Sequence, residues 1–317
     1  MRRPGIVGVF GSALLALCAA IHAAPARDDA VPKLALWPAH AGMQAGRITE
    51  RSDDSAVPDR IIEDVRAPYL AIYAPARPSG TALLVTPGGG YARIVLDKEG
   101  TALVPAFVEA AGITLFVLRY RLPDASHVEG ADAPLVDAQR AMRLIRAHAA
   151  EYGIDPARVG VMGFSAGGHV AARLATTPDA AYTATDDVDA RSLRPDFALL
   201  VYPVISMHAP LAHGGSRDRV LAVSGDAKSA TLDRFSPDLH VTAETPPMFL
   251  LHAQDDEVVP VGNTLAMHAA ALRADVQTSL HVFPRGGHGF GTRGATGALA
   301  RWPQLAIDWI HEQTSGP

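Results

Sequence analysis

Downstream of residue 81 the chain alternates short, wholly apolar runs with longer amphipathic segments. The runs are Ala82 to Val85, Thr114 to Leu118, Arg158 to Met162, Phe197 to Tyr202, Met248 to His252 and Ser279 to Phe283. Apolar residues on consecutive positions, rather than every second one, indicate strands covered on both faces. Between the second and third runs, Ala138, Ala141, Met142, Ile145 and Ala149 fall on one helical face. Pro134 suits the first turn of that helix, and Gly153 is expected to end it. Strand and helix in alternation predict an α/β fold, with a mainly parallel sheet and helices on both faces.

Upstream, residues 32–77 are proline-dotted and weakly patterned. Arg60 to Val65 and Tyr69 to Tyr73 are expected as edge strands that extend the sheet, and Trp37 as a packing anchor. Ile205 to Pro247 loosens into polar, glycine-rich sequence longer than a compact domain's connections, and reads as a cap or long loop over a site. Residues 27–317 are thus expected to form one domain, with 27–80 as a lead-in and 205–247 as a decoration.

The first 26 residues follow a different pattern. Met1-Arg2-Arg3 leads into the apolar run Ile6 to Ala20 and then Ala23-Ala24-Pro25-Ala26, the charged, apolar and small-residue order of a secretory signal peptide. The run is too short for a comfortable membrane span, so no stable membrane anchor is expected. Export places the mature protein in the periplasm or outside the cell. Cys18, the single cysteine of 317 residues, falls inside the removed segment, which leaves no disulfide for the mature chain. A formal charge of −5 argues against a basic nucleic-acid footprint.

The third run ends in Gly163-Phe164-Ser165-Ala166-Gly167 and resumes as the alanine-rich stretch from Val170 to Ala175. G-x-S-x-G between strand and helix is a nucleophile elbow, with glycines where neighbouring backbone leaves no room for a Cβ. Ser165 is the candidate nucleophile. A serine needs a base and a group to orient it, in the order acid then histidine after later strands. The fifth run leads into Asp255-Asp256-Glu257-Val258-Val259-Pro260. Asp256 is the favoured acid because it fits H-x-x-x-D-x-x-V-P from His252, and Asp255 is the rival. The sixth run is followed by Gly286-Gly287-His288-Gly289-Phe290-Gly291, which makes His288 the candidate base on a glycine-rich loop free to swing under the serine. His127, His148, His208 and His213 read as surface or structural residues.

An acyl-transfer site also needs donors for the developing oxyanion. Thr86-Pro87-Gly88-Gly89-Gly90-Tyr91 follows the first run, and the N–H groups of Gly89, Gly90 and Ala166 are assigned that part. G-x-G-x-x-G and Walker patterns are absent, which disfavours a nucleotide site. The acidic trio lacks the further oxygen ligands of a calcium site, and no cofactor or metal is expected. Tyr91 either lines the pocket or packs, Asp97 and Glu99 are expected to cap the following helix, and Asp137 to pair locally or anchor a loop.

With all of these motifs in order, the chain resembles the α/β-hydrolase superfamily from about Thr81 to its last helix. Pro87-Gly-Gly-Gly-Tyr91 is similar to the HGGG motif of hormone-sensitive-lipase-like esterases, with proline in the histidine's place. Together with Glu99-Gly100, Gly163-Phe-Ser-Ala-Gly-Gly-His169, Tyr202-Pro203-Val204, Asp255-Asp256 with Val259-Pro260, and Gly287-His-Gly-Phe-Gly291, it resembles the bacterial acetylxylan-esterase-like branch. That resemblance implies a serine ester hydrolase that removes acetyl groups from xylan or xylo-oligosaccharides. The alternatives are a general short-chain carboxylesterase or lipase, which would want an apolar inner face over 205–247, and a prolyl peptidase, which would want a propeller. A non-catalytic binding protein of the same fold would usually lack part of the triad.

Overall fold

The computed structural model describes Met1 and residues 31–38, 44–225 and 228–315. The expected signal peptide, Cys18 included, lies outside the described residues apart from Met1.

The strands are β1 (Lys33–Ala35), β2 (Arg47–Glu50), β3 (Arg60–Glu63), β4 (Tyr69–Tyr73), β5 (Ala82–Thr86), β6 (Ile94–Val95), β7 (Thr114–Arg119), β8 (Val159–Phe164), β9 (Ala198–Val201), β10 (Met248–Ala253) and β11 (Thr278–Phe283). The helices are α1 (Ala133–Ala147), α2 (Ser165–Thr176), α3 (Gly214–Ser224), α4 (Ser229–Arg234), α5 (Gly262–Arg273) and α6 (Trp302–Thr314). Eight strands form one sheet in the order β1-β4-β7-β5-β8-β9-β10-β11. The six apolar runs are its six mutually parallel strands, and β4 runs antiparallel to both β1 and β7.

Alternate residues of each inner strand enter opposite cores, as the pleat requires. On β5, Leu84 joins a layer with α1, α2 and α5, whereas Leu83 and Val85 join one with Trp302 and Ile310 of α6 and Phe107 of a π-helical turn, Val104–Ala110. On β7, Phe116 and Leu118 divide from Leu115 and Val117 in the same way. The expected helices on both faces are therefore present.

Three expectations need correction. Tyr69–Tyr73 is not an edge strand: all five residues are buried, and the short β1 covers its outer side. Arg60–Glu63 belongs to a separate antiparallel sheet, β2-β3-β6. Gly153 does not end α1, which stops at Ala147; it ends a following 3₁₀ turn, Ala149–Tyr152, in the left-handed region at φ 64°.

The segment 205–247 is structured rather than a long loop, with α3, α4 and a 3₁₀ turn at Pro237–Leu239. Side chains tie it to the main sheet's helices. The amide oxygen of Asn263 on α5 accepts from the N–H of Ile205 and Ser206 at 2.9 and 3.0 Å, and within the segment Ser236 Oγ accepts from Met207 N–H at 2.9 Å.

Because β5, β8, β10 and β11 are parallel, the segments that follow them emerge at one end of the sheet. In open α/β sheets that carboxyl end is where ligands bind.

Candidate active site

At the β8–α2 junction Ser165 has φ 52°, outside the ordinary range for a residue with a Cβ. The strain is tolerated because the flanks are immovable. A Cβ on Gly163 would stand 2.4 Å from the carbonyl oxygen of Gly167, and one on Gly167 would stand 2.0 Å from that of Thr86. Thr86 Oγ1 in turn donates to the Gly167 carbonyl at 2.8 Å, locking the end of β5 to α2.

His288 Nε2 lies 2.8 Å from Ser165 Oγ, and His288 Nδ1 lies 2.7 Å from Asp256 Oδ2. An ionised carboxylate only accepts, so Nδ1 carries the proton and the Nε2 lone pair receives the serine O–H. The structure brings the three sequence-assigned residues together and separates the two aspartates. Asp255 instead accepts the N–H of Gly287 at 2.8 Å and holds the histidine loop.

Asp256 is buried, and every one of its neighbours donates. Val258 and Val259 N–H bond Oδ1 at 2.9 and 2.8 Å, while His252 Nε2 joins His288 on Oδ2 at 3.2 Å. Burial alone would raise its pKa. The hydrogen bonds from His252, His288 and Val259 N–H outweigh that and hold the carboxyl well below its ordinary value. His252 is fully buried and its proton is fixed on Nε2, which also faces the Val259 carbonyl at 3.0 Å, with Nδ1 2.7 Å from Thr264 Oγ1. It holds the Asp256 carboxylate in place, whereas the sequence shows it only as the anchor of a motif.

The histidine loop is pinned at both ends rather than free to swing. Besides Gly287, Gly291 N–H donates to Tyr202 Oη at 3.1 Å, and the Gly291 carbonyl accepts from Trp302 Nε1 at 2.8 Å. The glycines supply left-handed backbone, with φ 60° and 69° on either side of His288. The ring rests against Tyr202, centroids 5.1 Å apart.

The glycine-rich turn after β5 is held at three points. The Pro87 carbonyl accepts from Tyr120 Oη at 2.7 Å, Gly88 N–H donates to Glu99 at 2.6 Å, and Tyr91 Oη meets His169 Nδ1 at 2.6 Å. Between those anchors the N–H groups of Gly89 and Gly90 make no hydrogen bond among the described residues, and both residues line the cleft with Ser165 and His288. Ala166 is in the first turn of α2, where backbone N–H groups have no helical acceptor. The arrangement suits an anion formed beside Ser165.

Glu99 is not a helix cap. Its carboxyl is sealed under the site between Gly88 N–H and Tyr202 Oη, and burial raises its pKa against those bonds and the charges of His288 and Lys98. Asp97 is no cap either, since it binds the Arg60 guanidinium and backbone N–H. Asp137 does not pair locally but anchors a loop: it accepts from the Arg121 guanidinium and backbone N–H at 2.8 Å each, and from Trp37 Nε1 at 2.9 Å. His213 has the structural part expected of it, since its Nδ1 accepts from Ser216 N–H to cap α3, but it also lines the cleft. His127, His148 and His208 do not line this cleft. Tyr91 both packs and lines a neighbouring hollow. No group of three or more His, Cys, Asp or Glu side chains suited to a metal ion occurs among the described residues, and no helix among them is long and apolar enough to cross a membrane.

Comparison with known proteins places this geometry in context. A family model described as BD-FAE matches residues 70–271. An acetylxylan esterase of Xylanibacter ruminicola is 33% identical over 224 residues, 70% of this chain and 43% of that protein. An endo-1,4-beta-xylanase B of Butyrivibrio fibrisolvens is 35% identical over 207 residues, 65% of this chain and 32% of that protein. The chain therefore spans less than half the length of these relatives. A crystal structure of an acetyl ester-xyloside bifunctional hydrolase from Caldicellulosiruptor lactoaceticus superimposes with a TM-score of 0.73 at 33% identity, covering 89% of this chain and 96% of the other. The fold is the α/β-hydrolase fold.

Proposed function

Because the chain belongs to the BD-FAE family of α/β-hydrolase-type esterases, we propose that it is a serine carboxylic-ester hydrolase acting through an acyl-enzyme on acetylated xylan or xylo-oligosaccharides. The observation that carries this reading is the relay from Ser165 Oγ through His288 to Asp256, at 2.8 and 2.7 Å.

In this mechanism His288 Nε2 takes the hydroxyl proton as Ser165 Oγ attacks the acetyl carbonyl. Asp256 stabilises the imidazolium, and the N–H groups of Gly89, Gly90 and Ala166 receive the oxyanion. The imidazolium returns its proton to the departing sugar oxygen, which leaves an acetyl ester on Ser165. A water, deprotonated by the same nitrogen, then releases acetate.

A sugar ester suits the cleft better than an ester of an apolar alcohol. About 420 Å³ in volume, the cleft is lined by Arg51, Arg93, Lys98 and His213 as well as the catalytic pair. The amino-terminal charge and apolar run support action outside the cytoplasm, which amino-terminal sequencing of the mature protein would test. The function itself is tested by acetate release from acetylated xylo-oligosaccharides, set beside aryl esters of increasing chain length. Acetylated sugars and short acyl chains should be turned over best, and Ser165→Ala should abolish turnover while the far-ultraviolet circular dichroism is unchanged. Preference for long acyl chains, or full activity in Ser165→Ala, would overturn it.

A further inference from the structure

Many of the arginines among the described residues stand in ion pairs. Arg47 pairs with Glu63, Arg60 with Asp97, Arg121 with Asp137 and Glu129, Arg140 with Asp186 and Asp189, and Arg173 with Asp132. The cleft at Ser165 gathers several cations of which, among the described residues, all but one are outside any ion pair. Of its four cationic lining residues, Arg51 is held by Asp59 at 2.7 Å. Among the described residues Arg93 and Lys98 make no ion pair or hydrogen bond, and Arg219 bonds only a backbone carbonyl, that of Gly215 at 2.9 Å. Lys98 is half-buried, and its ammonium stands at the cleft wall 4.0 Å from where a Cβ on Gly289 would lie.

Two exposed carboxylates, Asp64 and Asp124, line the adjoining hollow that Arg219 also borders, but neither lines the cleft itself. The one carboxylate lining the cleft, Glu99, is buried and committed to Gly88 and Tyr202. A chain with formal charge −5 thus concentrates unneutralised positive charge at the mouth of its reaction site. The cleft also continues past Ala92 and Arg219 into a hollow of about 450 Å³ lined by Tyr91, Leu122 and His127, which gives room for more than one sugar unit.

We propose that Arg93, Lys98 and Arg219 form a subsite for a carboxylate borne by the acylated sugar chain, so that the preferred substrates are acetyl esters on oligosaccharides carrying a uronate close to the ester. The proposal rests on the esterase reading above. Guanidinium forks match the two oxygens of a carboxylate, and an ammonium adds a point charge. Exposed pairs contribute little singly, about 1.5- to 5-fold each, so three acting together favour the acidic substrate by about tenfold. The effect should weaken as salt shortens the screening length from about 10 Å at 0.1 M to about 3 Å at 1 M.

The test compares kcat/KM for acetate release from acetylated xylo-oligosaccharides with and without a glucuronate branch beside the acetyl group, at low and high sodium chloride, with a small aryl acetate as a third substrate. The acidic-to-neutral ratio is expected to be about ten at low salt and to fall towards one at 1 M, through KM. The triple variant Arg93→Gln, Lys98→Gln, Arg219→Gln should bring the ratio to about one at all salt concentrations, and Arg93→Glu should bring it lower than Arg93→Gln does. Because the readout is a ratio, a general loss of activity cancels. Cleavage of the aryl acetate and of both oligosaccharides with a ratio near one at low salt, or a ratio that survives the triple substitution, overturns the subsite and leaves the esterase reading standing. Failure to cleave any of the three overturns both.

Discussion

The buried histidine of the nucleophile helix makes the fold sensitive to acid in a way that can be isolated. His169 Nε2 lies 2.7 Å from the Phe235 carbonyl and Nδ1 lies 2.6 Å from Tyr91 Oη. The carbonyl can only accept, which puts a proton on Nε2; burial keeps the ring neutral, so Nδ1 accepts the Tyr91 O–H. Burial, reinforced by the charge of Arg173 and opposed by the bond to Phe235, lowers its pKa from 6.5 to about 3. The folded value lies below the unfolded one, so its stabilisation is complete above about 6.5 and is lost as pH falls towards 3. At about 1.4 kcal/mol per pH unit the full gap amounts to about 5 kcal/mol, of which about 3 kcal/mol is lost by pH 4.5. His169→Gln keeps an acceptor for Tyr91 and a donor for Phe235 but does not titrate. Urea unfolding at pH 7.5 and 4.5 should show the parent protein losing about 3 kcal/mol more than the variant. Equal losses, within about 0.5 kcal/mol, would refute the neutral-histidine argument. Tyr91 borders Gly89 and Gly90, so the same protonation is expected to loosen the oxyanion turn before global unfolding.

Other outcomes follow from the same geometry. Asp256→Asn should lower kcat by on the order of 10³ to 10⁴ by disturbing the His288 tautomer, whereas Asp255→Asn, which frees only Gly287 N–H, should cost less than about tenfold; comparable losses would contradict the division between them. His252→Phe removes one of four donors to Asp256 and should lower kcat roughly tenfold, about 1.4 kcal/mol of barrier, with KM little changed; an unaltered kcat would show that His252 does not position the acid. Gly167→Ala would set a Cβ 2.0 Å from the backbone oxygen of Thr86, and urea titration should show a loss of about 3 kcal/mol or more.

Much of this organisation is legible in the sequence because its signals are local. A strand buried on both faces needs an unbroken apolar run, which is how Ala82–Thr86, Val159–Phe164 and Met248–Ala253 declare themselves. The elbow is legible because the residues that shape its turn, Gly163 and Gly167, lie two positions either side of the serine, even though Gly167 is required by the distant backbone of Thr86. Asp256 is separable from Asp255 only through its spacing from His252, and the structure supplies the reason, since both histidines bond the same oxygen. What the sequence hides depends on distant partners. Glu99 passes for a helix cap because Tyr202, which holds it, is 103 residues away. The place of His213 in the cleft is hidden because its segment folds back over Gly90, and β4 passes for an edge because three residues, Lys33–Ala35, suffice to cover it.

Covalent chemistry at Ser165 is open to direct observation. Mixing the protein with an aryl acetate, quenching in acid during turnover and mapping the modified peptide by mass spectrometry should find one acetyl group on Ser165, absent in Ser165→Ala and long-lived in His288→Ala if it forms at all. Steady acetate release with no acyl group on that serine, or an acetyl group on another residue that turns over at the catalytic rate, would contradict the nucleophile assignment.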